Sequence, residues 1–281
     1  MMSAAINDFR IESESMTIRI GAVSYLNTKP LIYGLSRRLP DANISLDLPS
    51  RLAKRLASGE LDVGLIPSIE AFQDPSYRIV SDACIACHGP VWSVKLLSQV
   101  PMPEIQSLAL DEGSRTSAAL ARILLSRRFG LEPTMVNWPV HESLDQVNTD
   151  AVLMIGDRAM KDHFPGYSRV WDLGEVWREW TGLPFVFAMW VARDKQHGDI
   201  AEKALIDARD DGLDHLANIS AMEASRYGLS EERCLSYLRD DLRFYLRTPE
   251  RQALQRFQSY AVQAGLAPGR NELTYHGCEV A

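Results

Sequence analysis

The sequence predicts an α/β fold with two lobes, each a mostly parallel sheet flanked by helices. Three observations carry this prediction. The chain has 281 residues, 46% hydrophobic and 24% charged, which is ordinary globular composition and enough for one large or two modest domains. Strand-like runs alternate with helix-like runs, which favours parallel sheets covered on both faces. The alternation comes in two sets, so a cleft is expected where strand ends of the two lobes face each other.

The N-terminal residues 1–16 are polar and mixed, and they predict a disordered extension before the first strand, with Met16 as an alternative start of translation. Neither a secretory signal nor a run of about 18 apolar residues is present. The net charge of -7 argues against a broad nucleic-acid surface. We therefore expect a cytoplasmic protein with no membrane or nucleic-acid partner. Nothing in the sequence determines its oligomeric state.

The first set of elements begins with an alternating, β-branched strand at 17–23. Thr28 would cap the helix that follows, with Pro30 in its first turn. Ser50 would cap and Gly59 would end a second helix at 50–60. The other predicted elements of this set are strands at 44–49, 61–67, 77–87 and 89–99, and a helix that opens at Ser68.

The second set contains the clearest helix of the chain, 114–130, which opens on Ser114 and closes on Gly130. Strands at 89–99 and 184–193 would cross between the lobes. Lobe 1 would then comprise 17–96 and 190–281, and lobe 2 would comprise 97–189. The remaining predicted elements are strands at 106–113, 134–139 and 151–160, and helices at 172–182, 199–221, 230–246 and 249–264.

Two loops of the first set place polar groups where a strand is followed by a helix. The first holds Ser24, Tyr25 and Asn27, and residue chemistry leaves it evenly balanced between a helix cap and a binding site. The second begins at Ser68, which would cap a helix whose free N–H groups suit a carboxylate. For Ser68 taken alone, a plain capping serine is the favoured interpretation.

Two further loops carry polar groups around the predicted crossover. In GPVWSV, Gly89 permits close backbone approach and Pro90 fixes the turn, so Ser93 could point inward or simply follow a loop. The loop at 114–117 offers Ser114, Arg115, Thr116 and Ser117 at a helix start. Backbone N–H groups, hydroxyls and a guanidinium favour an oxyanion there over a merely well-capped surface helix.

The segment Cys84-Ile-Ala-Cys87-His88 fits the C-x-x-C-H pattern of c-type haem attachment. Such attachment normally requires export, and the sequence shows no signal. A zinc site would need a second pair, and His276 with Cys278 has an unsuitable spacing. We therefore expect no metal and no cofactor, with the cysteines as reduced thiols and only a minor case for catalysis by His88.

Several stretches, in order, resemble the chorismate dehydratases of the futalosine route to menaquinone, the MqnA family. The pair SYLN-x-x-P-L and GPV-x-S-V is fairly specific, and the resemblance covers about residues 18–193. One departure is Cys87-His88, which precedes GPV where small polar residues are expected. The matching stretches are IGAVSYLNTKPLIYGL, LASGELDVGLIPSIEAF, GPVWSVKLLS, LALDEGSRTSAALARILL, AVLMIGDRA and DLGEVWREWTGLPFVFAMWVAR.

The resemblance implies a periplasmic-binding-protein-like type II fold and the conversion of chorismate to 3-[(1-carboxyvinyl)oxy]benzoate and water. Its catalytic positions fall on Asn27 and Ser93. Ser68 and residues 114–117 would surround the carboxylates, and Gly156 and Asp157 of AVLMIGDRA are further substrate-binding candidates.

Removing the C3 proton and the C4 hydroxyl makes the chorismate ring aromatic, but the loops offer no obvious general base. Asn27 cannot be one, because a carboxamide does not accept a proton near neutral pH. We expect the site to position the substrate, with Asn27 holding the C4 hydroxyl or the ring carboxylate, while the enolpyruvyl carboxylate of chorismate takes the proton. The alternatives are a non-catalytic small-anion binding protein of this fold and the sibling dihydroxynaphthoate synthase, MqnD.

Overall fold

The computed structural model describes residues 17–269 and 273–275. The predicted extension at 1–16, and the His276 and Cys278 considered for zinc, therefore lie outside the described residues. Twelve strands are found in the described part of the chain: β1 Arg19–Val23, β2 Asn43–Asp47, β3 Val63–Pro67, β4 Arg78–Cys87, β5 Val94–Ser98, β6 Ser107–Asp111, β7 Thr134–Trp138, β8 Ala151–Ile155, β9 Arg169–Asp172, β10 Phe185–Ala192, β11 Arg243–Tyr245 and β12 Thr274–Tyr275.

Eight α-helices accompany these strands within the same described ranges. None of them is long and apolar enough to cross a membrane. The helices are α1 Leu35–Arg38, α2 Pro49–Ser58, α3 Thr116–Phe129, α4 Leu173–Thr181, α5 Lys195–Asp214, α6 Leu216–Glu223, α7 Glu231–Ser236 and α8 Thr248–Gln263.

The strands form two sheets, and both sheets are flanked by helices. The first has the order β11-β4-β10-β3-β1-β2, with β12 beside β4, and the second has the order β7-β6-β8-β5-β9. The α/β prediction is confirmed, but each sheet is mixed rather than mostly parallel. In the first sheet β10 runs antiparallel to β3 and β4, and in the second β5 runs antiparallel to β8 and β9.

The direction of β5 and β10 follows from where they enter their sheets. Each begins on the cleft side after the chain leaves the other sheet, whereas the adjacent strands β3 and β8 end on that side. Each therefore has to run against those neighbours. Strand β5 lies wholly in the second sheet and β10 lies wholly in the first. The predicted lobe boundaries at 96/97 and 189/190 fall inside these two strands and remain a proposal.

The segment that follows β1 differs from its prediction. The helix expected after Thr28, with Pro30 in its first turn, is instead a 3₁₀ segment, Leu26–Ile32, followed by the short α1. Gly34 has φ of 66°, so the chain turns there in a conformation that favours glycine. Thr28 makes no capping bond with its side chain; its backbone N–H donates to the Tyr25 carbonyl at 3.1 Å.

Four further elements differ from their predictions. Ser50 lies inside α2, which Leu48 precedes without a side-chain cap. Ser68 opens no α-helix, because only a 3₁₀ turn, Glu70–Phe72, follows. The helix expected over 230–246 ends in a π turn, Tyr237–Asp241, and then becomes β11. Strand β9 had no counterpart in the prediction, because its short RVWD run has no clear alternation.

A close helix contact fixes the position of the 3₁₀ segment Leu26–Ile32. Helix α5 packs across it at Gly212, where a Cβ atom would lie 2.0 Å from the Pro30 carbonyl oxygen. Only glycine permits this approach of the two backbones. Because Asn27 lies on the same segment, this contact also sets the depth at which Asn27 meets the cleft.

Candidate active site

A cleft with lining residues from both sheets holds most of the predicted site residues. Its cavity volume is about 60 Å³, smaller than the roughly 300–1,000 Å³ of small-molecule sites, so the two sides of the cleft lie close together. Most of its wall is apolar, as befits a pocket for a small ring. The predicted residues that line it are Tyr25, Asn27, Ser93, Ser114, Arg115, Thr116, Ser117 and Gly156. The apolar residues of the wall are Val23, Pro49, Pro67, Ile85, Val91, Val94, Ile155, Phe187 and Ala188.

The other predicted residues lie beside the cleft and do not line it. Ser24 and Pro90 are exposed, and Gly89 is half-buried. Ser68 is fully buried behind Thr116. Asp157 is half-buried next to Gly156 and contacts the loop after β1.

One polar group of the cleft consists of Asn27, Ser93 and Tyr237, here called the hydroxyl cluster. The Tyr237 hydroxyl donates to Ser93 Oγ at 2.8 Å, and the Asn27 side chain is hydrogen-bonded to the same phenol. Tyr237 is 1% exposed, and burial raises its pKa far above the ordinary value. Sequence reasoning does not single out Tyr237, because it lies beyond the stretches that carry the resemblance and within a segment predicted as plain helix.

The backbone that carries Ser93 is held in a tight loop by Asp172. The Asp172 carboxylate accepts the N–H groups of Val91 at 3.0 Å and Trp92 at 2.7 Å. The same carboxylate caps α4 by accepting the N–H of Gly174 at 3.0 Å. Trp92 has φ of 60°, an uncommon conformation for a bulky residue that the surroundings must impose. These contacts therefore hold the loop that carries Ser93 in a single backbone conformation.

The second polar group consists of residues 114–117 at the beginning of α3, here called the helix-start cluster. Thr116 Oγ1 accepts the Ile69 N–H at 3.2 Å, and Ser114 Oγ accepts the Ala118 N–H at 3.1 Å. The backbone N–H groups of Arg115, Thr116 and Ser117 have no acceptor among the described residues. Free N–H groups at the start of a 14-residue helix favour a bound anion.

Arg115 is the only cationic side chain among the described residues that line the cleft. Its side chain is 44% exposed, and its Nε lies 3.8 Å from Glu70 Oε1. Burial raises the pKa of Glu70, while Arg115 opposes the rise. An incoming carboxylate would meet a guanidinium that is only loosely paired.

Tyr25 joins the two sides of the cleft. A Cβ atom on Gly156 would lie 2.7 Å from the Tyr25 ring, and one on Gly113 would lie 2.8 Å from its hydroxyl. Beside this contact Asp157 Oδ1 accepts the Leu26 N–H at 3.1 Å. Burial raises the pKa of Asp157 to about 6. The two glycines therefore leave room for the ring, and Asp157 fastens the loop that carries Asn27.

Cys87 and His88 lie outside the cleft lining. Cys87 is fully buried, and burial raises the pKa of its thiol to about 12, so the thiol stays protonated. The His88 ring contacts the buried carboxylate of Glu250. In the described ranges no group of three or more His, Cys, Asp or Glu residues could hold a metal ion.

The chain is similar in sequence to known proteins. The profile of a family described as menaquinone biosynthesis matches residues 18–263. Chorismate dehydratase of Thermus thermophilus is 31% identical over 257 residues, which is 85% of this chain and 93% of that protein.

Two solved structures share the fold. A protein from Archaeoglobus fulgidus has a TM-score of 0.76 and 18% identity, covering 90% of this chain and 99% of its own. The periplasmic aliphatic sulphonate binding protein SsuA from Escherichia coli has a TM-score of 0.60 and 17% identity, covering 94% of this chain and 95% of its own. The fold is therefore that of the periplasmic binding proteins.

Proposed function

The chain belongs to the menaquinone biosynthesis family, and from this membership we propose that it is a chorismate dehydratase, a cytoplasmic hydro-lyase. The reaction converts chorismate to 3-[(1-carboxyvinyl)oxy]benzoate and water. A relative of this activity is 31% identical over most of the chain. This reaction removes a proton and a hydroxyl from the substrate in a cleft that has few charged groups.

The observation that carries the proposal is the absence of a protein base among the described residues that line the cleft. Only Tyr25 and Arg115 there are titratable. Burial raises the pKa of Tyr25 well above its ordinary value, and an arginine stays protonated. Neither group can accept a proton near neutral pH, which favours a base that comes with the substrate.

Chorismate brings a base of its own. An oxygen of its enolpyruvyl carboxylate takes the C3 proton, the C–H electrons form the new ring double bond, and the C4–O bond breaks. The carboxylic acid then gives that proton to the departing hydroxide, which leaves as water and restores the carboxylate. The ring gains aromaticity, which makes the reaction strongly favourable. The protein then has to hold the dianion in the reactive conformation and stabilise the charge that develops on the departing oxygen.

The two polar clusters divide this task. Arg115 and the free N–H groups of the helix-start cluster would bind a carboxylate. Asn27 and Ser93 would contact the C4 hydroxyl. The apolar walls, including Ile85 and Phe187, would pack against the ring and exclude water, which strengthens the hydrogen bonds inside.

Mass spectrometry of a chorismate incubation tests the proposal. The wild-type protein is expected to convert chorismate to a product lighter by one water. Asn27→Ala is expected to lower turnover about 100-fold, as for the loss of an oriented group at a reacting oxygen. His88→Ala is the matched control, because His88 contacts Glu250 and does not line the cleft.

Two results would contradict the proposed mechanism. If His88→Ala abolishes turnover while Asn27→Ala does not, a protein base has been overlooked. If the wild-type protein binds chorismate tightly without turnover, it is a binding protein instead. The second outcome has one supporting observation, since the free N–H groups of residues 115–117 suit a bound anion whether or not it reacts. Assaying a cyclic futalosine in parallel tests the MqnD alternative.

A further inference from the structure

Tyr237 lies at the junction between the C-terminal helices and the cleft. It begins the π turn Tyr237–Asp241, which directly follows α7. Turns of this type are rare and often occur at functional sites. The ring of Tyr237 meets Trp92 edge-on, with 5.6 Å between centroids. Tyr237 is therefore packed against the strained loop that presents Ser93.

Arg233 braces the same arrangement from the side. Its guanidinium lies over the Trp92 ring, 3.5 Å from the centroid, and its Nη1 donates to Asp241 Oδ2 at 3.1 Å. Asp241 closes the π turn. The Arg233 guanidinium therefore contacts both the π turn and the loop that carries Ser93. This shared contact keeps Tyr237 and Ser93 at a fixed separation.

The direction of the hydrogen bonds in the hydroxyl cluster follows from proton counting. A phenol has one proton and can accept further bonds. Tyr237 gives its proton to Ser93 Oγ at 2.8 Å, so the Asn27 amide must be the donor in its bond to the phenol oxygen. The Asn27 Oδ1 in turn accepts from Thr28 Oγ1 at 3.4 Å.

These hydrogen-bond directions leave the hydroxyl proton of Ser93 without an acceptor among the described residues. Ser93 Oγ accepts from Tyr237, and its own O–H has no acceptor among the described residues. Ser93 is 1% exposed and lines the cleft. A serine hydroxyl can rotate to donate or to accept, but with Tyr237 donating to it, its proton is free to turn into the cleft.

We propose that Tyr237 is a positioning residue that commits the Ser93 hydroxyl to act as the hydrogen-bond donor to the departing C4 oxygen of the substrate. This inference rests on the proposed function. Tyr237 does not touch the substrate itself; it acts through Ser93. Burial keeps the phenol protonated, so the donor remains in place across the neutral pH range.

The test is Tyr237→Phe, which keeps the ring and removes only the hydroxyl. It is expected to lower kcat about tenfold, as for the loss of one orienting hydrogen bond, with KM changed less than about twofold. Tyr245→Phe is the matched control, since its hydroxyl bonds to the exposed Asp210 at 3.2 Å. That variant is expected to retain wild-type kcat.

Combination with Ser93→Ala separates positioning from a structural role. If Tyr237 acts through Ser93, the double variant is no slower than Ser93→Ala alone. Additive losses, or a kcat of Tyr237→Phe equal to that of Tyr245→Phe, would overturn the inference. A wild-type protein that does not convert chorismate would instead refute the proposed function.

Ser93→Cys gives a second measurement that leaves Tyr237 unchanged. A thiol is a weak hydrogen-bond donor, so kcat is expected to fall about tenfold with little change in KM. Unchanged kcat in this variant would also overturn the inference, even if Tyr237→Phe proved too unstable to assay.

Discussion

The two polar clusters of the cleft differ in which of their groups are bonded within the protein, although both contain hydroxyl groups. In the hydroxyl cluster the side chains are bonded to one another, from Asn27 through Tyr237 to Ser93. In the helix-start cluster the side chains bond to protein and the backbone N–H groups are left free. The hydroxyl cluster orients the hydroxyl proton of Ser93. The helix-start cluster provides positive potential from its free N–H groups and orients no hydroxyl proton towards the cleft.

This contrast explains why similar serines have different roles. Ser68 and Ser93 are both buried, and both are candidate site residues from the sequence. Ser68 donates to the Val186 carbonyl at 2.8 Å, so its proton is occupied by protein. Ser93 only accepts, so its proton remains available. Exposure alone would not distinguish them; the direction of the hydrogen bond does.

The largest effect is expected for Ser93→Ala. Removal of a donor aimed at developing charge should lower kcat about 100-fold or more. Ser68→Ala is the matched control and should keep kcat while losing about 1 kcal/mol of stability. Steady-state kinetics and urea unfolding measure both. If Ser68→Ala loses as much kcat as Ser93→Ala, the contrast between the two serines is wrong.

The next largest effect concerns the contact that holds the two sides of the cleft together. Gly156→Ala adds a Cβ 2.7 Å from the Tyr25 ring at φ of 64°. The strained backbone and the overlap together should lower the free energy of unfolding by about 3 kcal/mol.

Gly182→Ala isolates the backbone part of that loss. Gly182 has φ of 71° but nothing within 4 Å of the added atom. Its variant should lose only about 1 kcal/mol. Thermal and urea unfolding of both proteins give the difference. Equal losses would show that Tyr25 can move aside, and that its contact with Gly156 does not fix the cleft.

A smaller effect is expected in the helix-start cluster. Arg115→Ala should raise KM about tenfold and leave kcat nearly unchanged, because a carboxylate is bound in both the ground state and the transition state. Arg122→Ala is the control, on an exposed position further along α3. A fall in kcat for Arg115→Ala with unchanged KM would contradict the division of roles between the two clusters.

Much of the cleft was predictable from local chemistry. The helix at 114–130 was predicted from its opening serine and closing glycine, and the structure gives α3 as Thr116–Phe129. Strand-end loops collect polar groups because strands of two sheets end at one cleft. For that reason the sequence alone indicates Tyr25, Asn27, Ser93 and residues 114–117 as cleft residues.

What the sequence determined by itself was therefore most of the strands and helices up to β10, except β9 and the 3₁₀ segments, together with the loops at their ends and the family to which the chain belongs. Only the tertiary structure decided which protons are free. Tyr237 meets Ser93 across 144 residues, and Asp157 meets Leu26 across 131. Such contacts leave no periodic pattern, since they depend on how α5, α7 and the π turn pack. Ser93 and Ser68 differ in the hydrogen bonds of their hydroxyl groups, and those bonds depend on neighbours that only the tertiary structure brings together.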